Sequence, residues 1–457
     1  MVEGLNPLNA YLERFAHLGA RACIFDSEYT HTYQELGQAI DFRRIELQQS
    51  GIRPGDVVGL IGDYSFGNIA LFFALASCGA ILVPVAVATV TEIKERLGVA
   101  GAKFRIMLEG NALKIERTPS VVTTPPALIS RLRETGHPGL ILFSSGSTGR
   151  PKAMLHDLTR WLLAYRGKTL KDYRQVMVLL FDHIGGLDSM MRALVSGAGL
   201  VVPSGRDPEN VAQAIVRHRA SVLPASPTFL NLMLLSEVHM RYNLSSLQII
   251  AYGAESMPEP LLRKLQAIFP EADLQQKFGT TETNAVRTRS RNSGSLFMRI
   301  DDPMAEYKIV EGELWLRSQS QILGYLNAPM DRFTAEGWFR TGDLVEEDNQ
   351  GFFRVTGRVQ EVINVGGEKV LPPEVEGVLL QMPEIQDCVV YGEPNAITGQ
   401  AVVAEVVLRP GTQSDRFRLL VRMYARSRLA TYKIPTKVKI VEKTAVNSRM
   451  KKIRRSN

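Results

Sequence analysis

Helix-period segments alternate with short apolar runs along most of this chain, and that alternation limits the fold more than any other feature. TYQELGQAIDFRRIELQQSG precedes DVVGLIG, NVAQAIVRHR precedes ASVLPAS, and PEPLLRKLQAIF precedes DLQQKFG. Such a rhythm builds βαβ units, whose strands lie parallel and are covered by helices on both faces. The stretch Ile69 to Ala88 (IALFFALASCGAILVPVAVA) is uncharged and nearly long enough to cross a bilayer. Gly79 divides it, so a buried helix followed by a buried strand, ILVPV, explains the same residues without a membrane span. At 457 residues the chain has room for two or three cores.

After about residue 310 the pattern changes. GELWLRS, GFFRVTG and EVINVGGEKV, rich in glycine and aromatics, predict twisted strands and hairpins. Beyond Pro372 an α/β pattern returns, through PEVEGVLLQM, DCVVYGE, AVVAEVVLR, SDRFRLLVRMYARSRL and KVKIVEK. The fold class expected is therefore α/β. A large N-terminal body holds mixed and parallel sheets and a β-rich subdomain, followed by a small C-terminal α+β domain. The expected division is 1–356 and 361–457, with the joint near 357–361.

LILFSSGSTGRPKAMLHD, residues 140 to 157, is the segment most informative about chemistry. An apolar run ends in Ser144, Ser145, Gly146, Ser147, Thr148, Gly149, Arg150, Pro151 and Lys152. Two glycines let backbone N–H groups converge, hydroxyls donate and a lysine adds charge, which together suit a phosphate. The spacing fits neither a Walker loop nor a hydrolase nucleophile elbow. The net charge of +7 also suits an anionic ligand, and the five basic residues from Arg449 to Arg455 supply all but +2 of it. Cys23, Cys78 and Cys388 are widely spaced and odd in number, so neither a disulfide framework nor a zinc site is expected. The start, MVEGLNPLNAYLERF, lacks the pattern of an export signal, and a cytoplasmic setting is the expectation.

The run SSGSTGRPK resembles the phosphate-binding signature of the adenylate-forming superfamily: acyl- and aryl-CoA synthetases, peptide-synthetase adenylation domains and luciferases. Further motifs similar to that family follow in its order: YGAE at 252–255, FGTTET at 278–283, GYLN at 324–327 and GWFRTGDL at 337–344. They continue with GRVQEVINVGGEKVLPPEVE at 357–376 and a basic segment ending MKKIRR, while TYQEL and IRPGDVV match the family's opening. The resemblance spans nearly the whole chain.

It implies roles residue by residue. Ser144 to Gly149 and Lys152 would cradle ATP phosphates. Glu282 would hold Mg²⁺, and Thr281 would meet the α-phosphate beside Gly279 and Thr280. Phe278, where the family usually has Tyr, would stack on adenine, helped by the backbone of Gly253, Ala254 and Glu255. Asp343 would take the ribose hydroxyls with Arg358 close behind, and Lys451 would bridge the substrate carboxylate and phosphate. Gln360, followed by Glu361, stands at the family's hinge position, where Asp or Lys is usual, so the small C-terminal domain would be mobile, and Gly366 and Gly367 would face a thiol tunnel. The family commonly has Thr-Gly before the lysine; here Arg449-Met450 stand there.

The implied reaction joins a small carboxylic acid to ATP as acyl-AMP and then to a thiol, with CoA as the acceptor expected from motif context. LLFDHIGGLDSMM, residues 179 to 191, would shape the acid pocket, with His183 gating it or touching the carboxylate. Asp182 sits where amino-acid adenylation domains bind a substrate amine, or simply turns to solvent or bonds locally. Ser226 to Leu230 and Thr283 to Val286 would add pocket walls. A separate acyl carrier protein stays open as thiol donor, as does a non-catalytic adenylate-binding protein. No nucleic-acid partner is expected, although the basic tail alone is compatible with one.

Overall fold

The computed structural model describes residues 6–118, 126–144, 151–412, 417–447 and 451–454. Two seven-stranded sheets form the large body. In the first, Gly139–Phe143, Ile81–Val85, Val57–Ile61 and Phe104–Glu109 run parallel, flanked by the antiparallel Ala153–Asp157 and Ala112–Arg117, with Gly324–Tyr325 at one edge. In the second, Asp273–Gln276, Ile249–Tyr252, Val222–Ala225, Arg174–Val176, Gly199–Val201 and Ala22–Phe25 are parallel, and Thr30–Thr32 closes the edge antiparallel.

Apolar strands of this kind need cover on both faces. Leu140 and Leu142 join a core shared with Ile24 and Leu200 of the second sheet, while Ile141 and Phe143 point the other way, into a core with Leu97 and Leu132. The segment tested for a membrane span is the helix Phe66–Ser77 followed by Ile81–Val85. Asn68 to Ala76 are all buried, and Gly79 turns the chain at φ 70°. Among the described residues no helix is long and apolar enough to cross a membrane. The helix Tyr33–Gln49 starts where the sequence provides a capping box, with Thr32 and Glu35 each accepting the other's backbone N–H.

The β-rich region is a six-stranded antiparallel sheet running Thr288–Ser290, Met298–Ile300, Phe353–Arg358, Phe339–Glu347, Glu313–Ser318 and Ala305–Val310. A small C-terminal domain follows. Its sheet contains Glu368–Val370, Ile363–Val365, Gly399–Leu408 and Ile385–Asn395, with Lys437–Ile440 parallel to Gly399–Leu408. The helices Pro372–Leu379 and Phe417–Arg426 supply Val375, Leu379, Phe417 and Val421 to its core. All three cysteines are buried as free thiols.

Candidate active site

The parallel strands of the second sheet end level with one another. Ala225 pairs with Tyr252, and Tyr252 with Gln276, so the segments leaving them emerge side by side at the carboxyl edge. Open α/β sheets place ligands at such an edge. The first exit is Ser226–Thr228, leading into the helix Pro227–Leu235, and the second is Gly253-Ala254-Glu255. The third is the FGTTETNAV hairpin, formed by Phe278–Thr280 against Asn284–Val286. Packing fixes two of its glycines: a Cβ on Gly253 would lie 2.5 Å from the Lys277 carbonyl oxygen, and one on Gly279 would lie 2.6 Å from the Ala285 Cα. Ala254 takes φ 69°, a left-handed turn that sends Glu255 back toward the cleft.

Thr281 and Glu282 occupy the hairpin tip, braced by a 2.9 Å hydroxyl pair between Thr280 and Thr283. Glu282 Oε1 accepts from the Tyr325 hydroxyl at 2.9 Å, and Lys152 Nζ lies 5.3 Å from the centre of the same ring. Burial, reinforced by the Glu282 carboxylate, pushes the Tyr325 phenol well up, so it remains a donor. Thus the last lysine of the phosphate-loop signature and the expected metal carboxylate converge on one tyrosine. The signature did not single out Tyr325 or Asn327, although both lie in the GYLN motif. Asn327 closes the exit of the loop, donating to the Pro151 carbonyl at 2.9 Å and accepting from Ala153 N at 2.8 Å. Ser144 N donates to the Lys152 carbonyl at 3.1 Å across the loop base; Ser145, Gly146, Ser147, Thr148 and Gly149 lie outside the described residues.

Asp343 and Arg358 face each other across adjacent strands, Nε to Oδ1 2.9 Å. Burial pushes the Asp343 carboxyl up, opposed by Arg358 and Arg332. The carboxylates of Asp343, Glu361 and Glu282 together favour the charged guanidinium of Arg358, which links the two expected clusters electrostatically. The Phe278 ring is half-buried against the β-rich core of Met298, Leu314 and Phe353.

A cleft of about 240 Å³ lies between the large body and the C-terminal domain. Its walls include Thr228, Ala254, Glu255, Arg358, Asn447 and Lys451. Lys451 stands on a short hairpin, its backbone bonded to Asn447 in both directions: Lys451 N to Asn447 Oδ1 at 3.1 Å and Asn447 N to the Lys451 carbonyl at 2.9 Å. The basic residues of this tail are sorted by their partners. Lys452 Nζ is buried against Asp387 Oδ1 and the Cys388 carbonyl, each at 2.7 Å, and Arg454 bridges Glu376 at 2.8 Å and Glu361 at 3.0 Å. Burial alone would raise the Glu376 carboxyl, but Arg454 and Lys452 outweigh it and hold it below its ordinary value. Arg449 and Met450 lie outside the described residues.

Five positions singled out in the sequence are not among the walls of this cleft. Gly366 and Gly367 form the exposed turn of a hairpin at φ 60° and 94° and are not among the cleft walls. Gln360 is exposed in the 3-10 turn Val359–Glu361 that joins the β-rich sheet to the C-terminal domain. His183 caps the helix Ile184–Val195, with Nδ1 accepting from Gly185 N at 3.2 Å. Asp182 neither turns to solvent nor bonds locally; it is buried and paired with Arg96 at 3.1 Å, a partner 86 residues away that local sequence could not reveal.

The family model described as AMP-binding enzyme matches residues 12–326, and that of the AMP-binding enzyme C-terminal domain matches residues 374–451. A CoA ligase of Mycobacterium tuberculosis, named for a methyl-dioxo-octahydroindenyl propanoyl group, is 28% identical, with 97% of this chain and 96% of that protein covered. The 2-succinylbenzoate–CoA ligase of Geobacillus kaustophilus is also 28% identical, covering 95% and 94%. Among solved structures, an anthranilate CoA ligase in complex with anthranoyl-AMP shares the fold at TM-score 0.81 and 20% identity, over 98% and 95% of the two chains. These names agree with the expectation of an AMP-forming acid–thiol ligase. The chain belongs to the AMP-binding enzyme family.

Proposed function

We propose that this protein activates a carboxylic acid with ATP, releasing pyrophosphate from an acyl-AMP, and then transfers the acyl group to the thiol of CoA. The observation that carries the reading is the cleft in which Lys451 of the C-terminal hairpin meets Ala254, Glu255 and Arg358 of the large body. No protein nucleophile is needed when a carboxylate attacks the α-phosphate; the protein positions two anions and offsets their charge. Lys451 supplies that charge, Lys152 and the loop it ends hold the phosphates, and Asp343 with Arg358 takes the ribose.

Glu282 suits Mg²⁺. One oxygen is occupied by Tyr325, the other has no hydrogen bond among the described residues, and a carboxylate is a hard ligand. When bound, the ion supplies positive charge to the phosphates. The division at 1–356 and 361–457, with Gln360 as hinge and Gly366 and Gly367 in the thiol path, is supported by the exposed turn at 359–361 and by the left-handed glycine pair.

Asp182 already neutralises Arg96, which counts against its use for a substrate ammonium and favours an acyl or aryl acid. A carrier-borne thiol is the second reading. The helix Phe417–Arg426 exposes Leu419, Leu420 and Met423 between Arg418, Arg422 and Arg426, a face complementary to an acidic helical protein.

Acid-dependent ATP–pyrophosphate exchange across an acid panel tests the reading, followed by CoA and a pantetheine carrier as acceptors. We expect exchange with at least one acid and a CoA thioester thereafter; ATP binding without exchange for any acid would leave a non-catalytic adenylate binder. Asn327→Ala removes two hydrogen bonds at the loop exit, each worth about 1 kcal/mol. We expect the KM for ATP to rise about tenfold at nearly constant thermal stability, measured by exchange kinetics and thermal melting.

A further inference from the structure

We infer that Glu255 is a positioning residue that sets Lys451 for the adenylating step, an inference that rests on the function proposed above. Its carboxylate accepts two backbone N–H groups from different parts of the molecule. Oε2 takes Thr228 N at 3.2 Å, in the first turn of the helix Pro227–Leu235, where a negative charge is favoured by the helix dipole. Oε1 takes Lys452 N at 2.9 Å, on the hairpin of the C-terminal domain. The amide bonded by Glu255 belongs to the peptide bond that joins Lys451 to Lys452, so the bond fixes the peptide plane that carries the lysine's own Cα.

The neighbouring anchors of that hairpin are of another kind. Lys452 Nζ and Arg454 bind Asp387, the Cys388 carbonyl and Glu376 of the C-terminal domain, and Arg454 also reaches Glu361, the last residue of the connecting turn. They hold the hairpin to its own domain and would travel with it. Glu255 lies at the exit of a large-body strand, and the left-handed turn at Ala254 aims it there. The Glu255 to Lys452 bond is therefore broken if the C-terminal domain rotates, while the side-chain anchors survive. While it is made, this bond biases the molecule toward the geometry with Lys451 over the cleft.

The test compares half-reactions in the full-length protein. In Glu255→Ala, acid-dependent exchange should fall at least tenfold further than CoA thiolysis of a chemically supplied acyl-adenylate. Glu255→Gln keeps an acceptor for the Lys452 amide and should restore exchange to within threefold of the wild type. Parallel loss of both half-reactions, unaltered exchange in the alanine variant, or a glutamine variant as slow as the alanine one would each overturn the inference. Trypsin cleavage between residues 449 and 455 in the ligand-free protein gives a readout independent of activity. It should be at least fivefold faster in Glu255→Ala, and an unchanged rate overturns the inference. Absence of acid-dependent exchange in the wild type would instead overturn the proposed function, leaving the proteolysis result to judge the bond.

Discussion

Lys451→Ala should lower acid-dependent ATP–pyrophosphate exchange by about a hundredfold to a thousandfold, or roughly 3 to 4 kcal/mol of transition-state stabilisation. The loss follows from removing a cation that faces the cleft where two anions must meet. The melting temperature should stay near that of the wild type. Its neighbour gives the contrasting result. Lys452 and Asp387 expose only 11% and 9% of their side chains, so Lys452→Ala leaves a buried carboxylate without its ammonium. Removing one partner of a buried pair costs on the order of 3 kcal/mol, to be read as a lower unfolding midpoint. Equal exchange in Lys451→Ala and the wild type would refute the assignment, whatever the melting data show.

The second large effect concerns acid. His156 lies on the strand Ala153–Asp157, fully buried, with neither ring nitrogen hydrogen-bonded among the described residues, and burial pushes its pKa down from 6.5 to about 3. The unfolded chain therefore binds a proton below pH 6.5 that the folded chain refuses until about pH 3. Stability contributed by neutral His156 is complete above pH 6.5 and declines as the pH falls across that window, by about 1.4 kcal/mol per unit. His156→Leu, which also removes two unsatisfied nitrogens, should flatten the fall. Urea unfolding at a series of pH values between 3 and 7 measures it. The gap between variant and wild type should widen by roughly 4 kcal/mol from neutral pH to about pH 3, and parallel pH profiles would refute the account.

Those two histidine and lysine cases show where local sequence stops being informative. Alternation along the chain makes Phe66–Ser77 and Ile81–Val85 legible because each residue's burial follows from its immediate neighbours. The Asp343–Arg358 pair was legible as two motif residues, since the motifs fall on adjacent strands of one sheet. By contrast, Lys451 and Lys452 are the same residue type in succession, and only partners such as Asp387 and Glu255 separate their functions. Arg96 beside Asp182 and Asn327 beside Pro151 are tertiary pairs, 86 and 176 residues apart, with no periodicity to announce them. His156 is hidden for a different reason. A histidine between Leu155 and Asp157 in a short strand reads as a boundary residue until the sheets are stacked around it.

Arg454 has a genetic consequence. It neutralises Glu376 in the C-terminal core and Glu361 in the connecting turn. A missense codon that replaces it by an uncharged residue would leave the rest of the protein unchanged while stranding two carboxylates, one of them buried. Such an allele would act as a folding defect in the C-terminal domain, and a second-site change of Glu376 to an uncharged residue would be its natural suppressor.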